Sequence, residues 1–219
     1  MAQSEAEHIL AVADLHGRRD LLNTLLLELL PTLPPAVRLI FLGDYIDRGP
    51  DSAQVIQELI RLRRRRPETV FLMGNHEQML LDAVSRRRLA PFLANGGGST
   101  LASYGVDRSA VGSIPGEHLE FFRSLELFHA WRGYTFVHAG LRPGRSLEEQ
   151  DPGDLLWIRE RFFTAEPDWP GTVVFGHTIF PSPLIRPGLI GIDTGAVYGG
   201  GLTCLKLPEE EYFSLQPMA

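Results

Sequence analysis

Residues 39–51 read LIFLGDYIDRGPD. The apolar run Leu39–Leu42 fits a buried strand, and it stops at Gly43, after which Asp44, Asp47 and Arg48 follow closely. Two carboxylates and a guanidinium on a glycine-hinged turn do little for stability. They suit the holding of a metal ion and a phosphate.

The pattern recurs on both sides of this stretch. Upstream, His8–Ala13 reads as a strand and Asp14-Leu15-His16-Gly17 as the turn after it. Asp20–Leu30 then has leucines at 21, 22, 25, 26, 29 and 30, a helical spacing that Pro31, Pro34 and Pro35 end. From Val37 a strand leads through the acidic turn to a helix over Ser52–Arg63. From Thr69 a strand to Met73 leads through Gly74-Asn75-His76-Glu77 to a helix ending near Arg88. Three strand–loop–helix units in succession predict an α/β sheet with parallel strands, whose ligands gather beyond the carboxyl ends. Past Asn95-Gly96-Gly97-Gly98-Ser99, read as a loop, and a helix over Glu117–Leu127, strands dominate. Phe128–Trp131, Tyr134–His138, Thr172–Phe175, Leu189–Asp193 and Leu202–Leu207 are expected to form a second, mostly antiparallel set packed on the first.

With 219 residues and 44% hydrophobic content the chain can bury one core, so residues 1–219 are read as a single domain with a helical and loop insertion at about 78–128. No apolar run approaches a bilayer span, and the polar start MAQSEAEH does not resemble a signal peptide. The lone Cys204, best explained as a small core residue, agrees with a reducing compartment, and a cytoplasmic address is expected. A net charge of −6 excludes a general nucleic-acid binder, and neither a membrane nor an obligatory protein partner is expected. The arginine runs (Arg61, Arg63–Arg66 and Arg86–Arg88) fall at helix ends, where cations complement the dipole, remote from any strand-end chemistry.

Five short motifs each follow an apolar strand: Asp14-Leu15-His16-Gly17, Gly43 to Gly49, Gly74-Asn75-His76-Glu77, His138-Ala139-Gly140 and Gly176-His177-Thr178. They hold four of the seven histidines. Asp14 and His16, two apart, would point to one side of an extended backbone, whereas the adjacent Asn75 and His76 would point apart. Asp, His and Asn together suit manganese, iron or zinc better than calcium. The donors are too many for one ion and enough for two that share a carboxylate.

These motifs resemble the phosphoprotein phosphatase branch of the metallophosphoesterase superfamily, with greatest similarity to its compact bacterial and phage lambda-type members. The resemblance runs from about residue 8 to 207 and includes Asn75-His76-Glu77-Gln78-Met79, Leu156 to Arg161 and Ile192-Asp193-Thr194-Gly195-Ala196-Val197. It implies two packed mixed sheets, a β-sandwich flanked by helices. It further implies that Asp14 and His16 bind a first metal, that Asp44 bridges, and that Asn75, His138 and His177 bind a second. Arg48 and Arg159 would clamp the phosphate, and His76, oriented by Asp47, would be the general acid. A metal-bridging hydroxide would attack phosphorus directly, with manganese the expected metal and iron or zinc the alternatives. Several relatives have Arg where Met73 stands, so one supporting charge is missing here. The glycine-rich Asn95–Ser99 lacks the features of a P-loop and is expected to be a flexible loop near the site entrance.

The implied activity is hydrolysis of phosphomonoesters, with phosphoserine and phosphothreonine in proteins the first substrate class and small phosphate esters also admissible. The alternative is a symmetrical bis(5'-nucleosyl)-tetraphosphatase; such relatives tend to have Asp at the Glu77 position and to lack the carboxylate at Asp47. A catalytically inactive phosphopeptide-binding scaffold would be marked by a broken ligand set, and none of the six candidate donors is substituted.

Overall fold

In a computed structural model that describes residues 8–86 and 88–218, ten strands form two five-stranded sheets. Residues 1–7, and with them most of the polar start, and Arg87 of the second arginine run lie outside the described residues. The three strand–loop–helix units begin at β1 (Ile9–Val12), β2 (Arg38–Phe41) and β3 (Val70–Phe71), which pair in parallel in that order. β9 (Leu202–Leu207) and β10 (Glu211–Leu215) complete this sheet on the far side of β1. The final strands therefore join the first sheet, not the second set where the sequence reading put Leu202–Leu207. β1 lies at the centre, and all four of its residues are buried, as a strand covered on both faces requires.

The second sheet runs β4 (Phe128–Trp131), β5 (Tyr134–Val137), β6 (Thr172–Phe175), β8 (Leu189–Gly191) and β7 (Leu184–Arg186). Only its edge strands pair antiparallel; β5, β6 and β8 are parallel. This corrects the expectation of a mostly antiparallel set. Turn signals such as Pro187-Gly188 mark a hairpin locally, but they carry no information about the crossovers that set β5, β6 and β8 side by side. Alternation along these strands then divides the core. Phe136, Val174 and Ile190 point toward the first sheet, while Val137, Val173, Phe175 and Leu189 pack outward with Leu155 and Phe162.

Helices cover the remaining faces. Arg19–Thr24 (α1) continues through a π-helical turn, Leu25–Leu29, and a tight turn, Leu30–Thr32, before the prolines stop it. Ser52–Arg65 (α2) turns Val55, Ile56, Leu59 and Ile60 inward. Its 14 residues carry the arginine-rich end about 20 Å from the Asp44 loop. There Arg61 pairs with Glu58, Arg64 with Glu117, and Arg63 lies 4.9 Å from the Phe121 ring centroid. Between β3 and β4 lie α3 (Asn75–Arg86), α4 (Leu89–Ala94), α5 (Gly97–Tyr104) and α6 (Gly116–Arg123). After β5 come α7 (Pro152–Trp157) and α8 (Glu160–Phe163). Among the described residues, no helix is long and apolar enough to cross a membrane.

Candidate functional site

Six parallel strand ends from the two sheets converge at one edge of the molecule. β1 leads to Asp14 and His16, β2 to Asp44, β3 to Asn75 and His76, β5 to His138, β6 to His177 and β8 to Asp193. Asp14, His16, Asp44, Asn75, His76, His138, His177 and Asp193 are all nearly or fully buried. The turns approach one another too closely for side chains at several positions. A Cβ on Gly74 would lie 2.1 Å from Asp44 Oδ1, and one on Gly176 would lie 2.2 Å from Asp14 Oδ1. The backbone is also held in a costly conformation: His16, Asp44, Asp47, Arg48 and His177 have φ of 44°, 50°, 72°, 70° and 60°. His16 thus does not reach the cluster by strand alternation with Asp14, as the extended reading supposed. A left-handed turn swings it in.

Asp44 is the shared element. Its carboxylate groups with His16 and His76 on one side and with His138 and His177 on the other, each set having ligand atoms within 4.8 Å of one another. His16 Nε2 lies 3.5 Å from Asp44 Oδ2, and His138 Nε2 lies 3.4 Å from Asp44 Oδ1. Both rings donate Nδ1–H to a backbone carbonyl, His16 to Ile46 and His138 to Leu42, each at 2.8 Å, which leaves both Nε2 lone pairs facing inward. Asn75 Oδ1 faces the His138 lone pair at 3.0 Å, so two acceptors meet where a cation between them would satisfy both. His177 Nε2 is buried with no hydrogen-bond partner. Neutral imidazoles, carboxylates and an amide oxygen, with an orphaned nitrogen among them, fit divalent transition metals. Asp14 meanwhile accepts the His177 N–H at 3.1 Å.

The electrostatics agree. Burial drives the His16 imidazole down to about 3 and that of His177 down to about 2, so both stay neutral and available as ligands. Burial also opposes ionisation of Asp44, but His138, His76, His16 and His177 together outweigh it and hold the carboxyl well below the usual range. Asp14 is pushed well above that range by burial, by Asp193 and by Asp44. Such a concentration of buried carboxylate charge is what bound cations would neutralise.

Beside the donors sits a second assembly. His76 Nδ1 donates to Asp47 Oδ2 at 2.6 Å, and Thr100 Oγ1 donates to Asp47 Oδ1 at 2.6 Å. Burial disfavours a charged His76, yet Asp44 and the Asp47 hydrogen bond prevail and raise its pKa above the ordinary value. Arg48 reaches across both rings, donating from Nη1 to His16 Nε2 at 2.5 Å and from Nη2 to His76 Nε2 at 2.9 Å. Arg159 lies at the other side, where its Nη1 donates to the His177 carbonyl and to Thr178 Oγ1, each at 3.2 Å. The structure therefore brings together all ten residues singled out in the sequence.

Residues 7–210 match the family model described as calcineurin-like phosphoesterase. The chain belongs to that family. It is a metallophosphoesterase, a hydrolase acting on phosphate esters at divalent metal ions. Among curated proteins it is similar to bis(5'-nucleosyl)-tetraphosphatase PrpE [asymmetrical] of Bacillus thuringiensis, 29% identical over 93% of this chain and 92% of the relative. Among solved structures it resembles a protein described as a candidate diadenosine tetraphosphatase, with a TM-score of 0.75, 24% identity and coverage of 98% and 96%. A protein serine/threonine phosphatase from Saccharomyces cerevisiae follows with a TM-score of 0.65, 16% identity and coverage of 99% and 82%. These two likenesses establish the calcineurin-like fold of two mixed sheets flanked by helices.

Three residues of this metallophosphoesterase site were not among the site residues named from the sequence, although Glu77 and Asp193 stand in the motifs quoted there. Glu77 is fully buried and accepts four backbone N–H groups, from Asp44, Tyr45, Ile46 and Gly74. Burial pushes its carboxyl up to about 8, but with both oxygens already accepting there is no position for a proton, and the ionised form is the one that fits. Asp193, which burial raises to about 6, stands at a sixth strand end; the run Ile192-Asp193-Thr194-Gly195 has the same strand–Asp–Gly form as the named motifs. Thr100 carried no local signal. Its position corrects the reading of Asn95–Ser99 as a flexible entrance loop: α5 begins at Gly97, the Gly96 carbonyl accepts the Arg48 N–H at 3.3 Å, and Thr100 follows one turn on.

Proposed function

We propose that the chain hydrolyses dinucleoside tetraphosphates into unequal halves at a dinuclear centre held by Asp14, His16, Asp44, Asn75, His138 and His177. The observation that carries the chemistry is Asp44, common to both donor groups, with the His76–Asp47 pair beside it and Arg48 against His16 and His76. Manganese is the metal we assign, with iron and zinc the competitors the same donors admit. Two such ions, when bound, acidify water and draw charge from phosphoryl oxygens. Arg48 and Arg159, planar guanidinium groups on opposite sides of the cluster, would orient those oxygens. His76 Nε2, once protonated, would give its proton to the leaving oxygen, while Asp47 and Thr100 fix the ring.

The substrate assignment departs from the preference drawn from sequence. The nucleotide-named relatives match over 93% of the chain at 29% identity, whereas the serine/threonine phosphatase is 16% identical. Glu77 and Asp47 had been weighed against symmetrical hydrolases, and the matched relatives are named asymmetrical. Phosphoserine and phosphothreonine remain the second reading, favoured by the well-held acid at His76. A nucleotide substrate and a lone buried thiol support a cytoplasmic address.

Manganese-loaded protein should convert diadenosine tetraphosphate to ATP and AMP and lose that activity on chelation. Two molecules of ADP would assign the symmetrical class. Turnover of a phosphoserine peptide with none of diadenosine tetraphosphate would overturn the assignment in favour of the second reading.

A further inference from the structure

The rim of the site carries an apolar exposure that the metal chemistry does not use. Among the described residues, the exposed large hydrophobic side chains are Leu27, Trp157, Ile179, Ile185, Tyr198 and Met218. Single exposed side chains of this kind are ordinary, so their placement is what matters. Trp157 stands two residues before Arg159, Ile179 two after His177, and Tyr198 follows Asp193 on the same loop. The Trp157 ring meets His177 edge-on, with centroids 6.1 Å apart and planes at 83°. The Tyr198 ring centroid lies 5.7 Å from the Arg48 guanidinium carbon. His177 belongs to one half of the donor cluster and Arg48 bonds His16 in the other, so the two rings flank the cluster from opposite halves.

Tyr198 is 66% exposed, yet its backbone is fixed. It ends a short turn, Ala196–Tyr198, between Gly195 and Gly199, both in the left-handed region. Its N–H donates to the Gly195 carbonyl at 2.8 Å. Arg18, paired with Asp20, donates Nη1 to the Ala196 carbonyl at 2.5 Å. Ile179 borders the same turn: its Cγ2 lies 3.1 Å, and Tyr198 Cδ2 4.0 Å, from the point where a Gly195 Cβ would stand. A rigid turn that holds an aromatic ring in solvent beside a phosphate-facing arginine is arranged for a flat partner.

We propose that Tyr198 and Trp157 are stacking platforms for the nucleobases of a dinucleoside polyphosphate whose phosphate chain lies across the donor cluster between them. This rests on the substrate reading above. Stacking needs only the π-face that every base offers, so it asks no base-specific hydrogen-bond partners of the rim. A bare phosphate gains nothing from either ring.

The test compares AMP with ribose 5-phosphate, which share sugar and phosphate and differ by the base. Calorimetric titration of manganese-loaded protein should give tighter binding of AMP by roughly 5- to 150-fold, the range of base–aromatic stacking. Tyr198→Ala and Trp157→Ala should each reduce that ratio, and Tyr198→Phe should preserve it. Because the ratio is taken within one variant, a general weakening of the site cancels, and Trp157→Ala is read by itself if Tyr198→Ala fails to fold. Equal binding of the two ligands by the unaltered protein, or a preference that survives both alanine substitutions, overturns the proposal. Diadenosine tetraphosphate turnover by the same preparation is a separate readout. No turnover with an intact AMP preference sinks the substrate assignment and keeps the platforms; turnover without a preference sinks the platforms alone.

Discussion

Glu77→Gln isolates what holds Asp44, the carboxylate common to both donor groups, in place. Oε2 of Glu77 accepts the N–H groups of Asp44 and Gly74, both at 3.0 Å, and Oε1 accepts those of Tyr45 at 2.8 Å and Ile46 at 3.3 Å. Glutamine has the same shape but one acceptor oxygen. Whichever way the amide turns, its NH2 confronts two backbone donors that lie too deep for water. Hydrogen bonds to a charged group contribute about 1.5–3 kcal/mol each, so losing even the weaker pair costs about 3–5 kcal/mol. That is a large share of a total stability of about 5–15 kcal/mol. With a urea dependence of about 2 kcal/mol per molar, the midpoint should fall by roughly 2 M. Circular dichroism in urea on metal-stripped protein measures this without counting lost metal twice. Elemental analysis of the reloaded variant should show depleted manganese, because the turn that carries Asp44, at φ 50°, has lost one of the two N–H pairs that pin it. A midpoint within roughly 0.5 M of the unaltered protein would refute the reasoning, since it would mean the carboxyl is already neutral and one N–H pair already unsatisfied.

Gly74→Ala places a methyl group 2.1 Å from Asp44 Oδ1 and 2.3 Å from its nitrogen, so the variant should retain little of the metal supplied to it while its far-ultraviolet spectrum is kept; full metal occupancy would show that the turn has room to yield. His76→Asn should reduce turnover of a phosphoserine peptide by roughly 10²–10⁴ and that of diadenosine tetraphosphate by much less. Equal losses would remove the acid role from His76. Cys204 is fully buried and burial raises its thiol pKa well above the ordinary value, so a thiol reagent should not label it until urea unfolds the chain. Rapid labelling of the native protein would place the strand pairing of Cys204 in error.

The first three strands, their helices and five of the six converging strand ends were legible in sequence, because each unit repeats one local grammar: an apolar run, a glycine-hinged polar turn, a helix. Asp44 and its partners could be read for the same reason. What escaped depends on pairing between distant segments. Nothing in Leu202–Leu207 distinguishes a strand of one sheet from a strand of the other, and only the antiparallel match of Val12 with Cys204 decides it. Thr100 contacts Asp47 across 53 positions of sequence, from the first turn of a helix whose run of glycines reads as a breaker. That low propensity is overruled by the close packing it permits: a Cβ on Gly97 would lie 2.6 Å from the Phe92 ring. The left-handed turn at His16 was equally hidden, since a histidine there carries no mark that its φ is positive.

The same division explains why the chemistry reads more clearly than the substrate. In the roles proposed for them, the groups the motifs encode act on a phosphoryl centre or on the oxygen leaving it, and those are common to a phosphoserine and to a tetraphosphate. The two differ in what departs. A serine alkoxide is strongly basic and needs the proton of His76, whereas a nucleotide phosphate is a weak base that departs with less help. The acid dyad therefore admits both substrates and selects neither. Selection has to come from side chains that touch what lies beyond the reacting phosphate, and on the stacking proposal these are the exposed Trp157 and Tyr198. Trp157 ends the six-residue α7 and Tyr198 a three-residue turn, both too short for a periodicity that would announce them. If the donors and the dyad are indifferent to the substrate, changes at this rim should shift the ratio of nucleotide to phosphopeptide turnover before they shift the metal requirement.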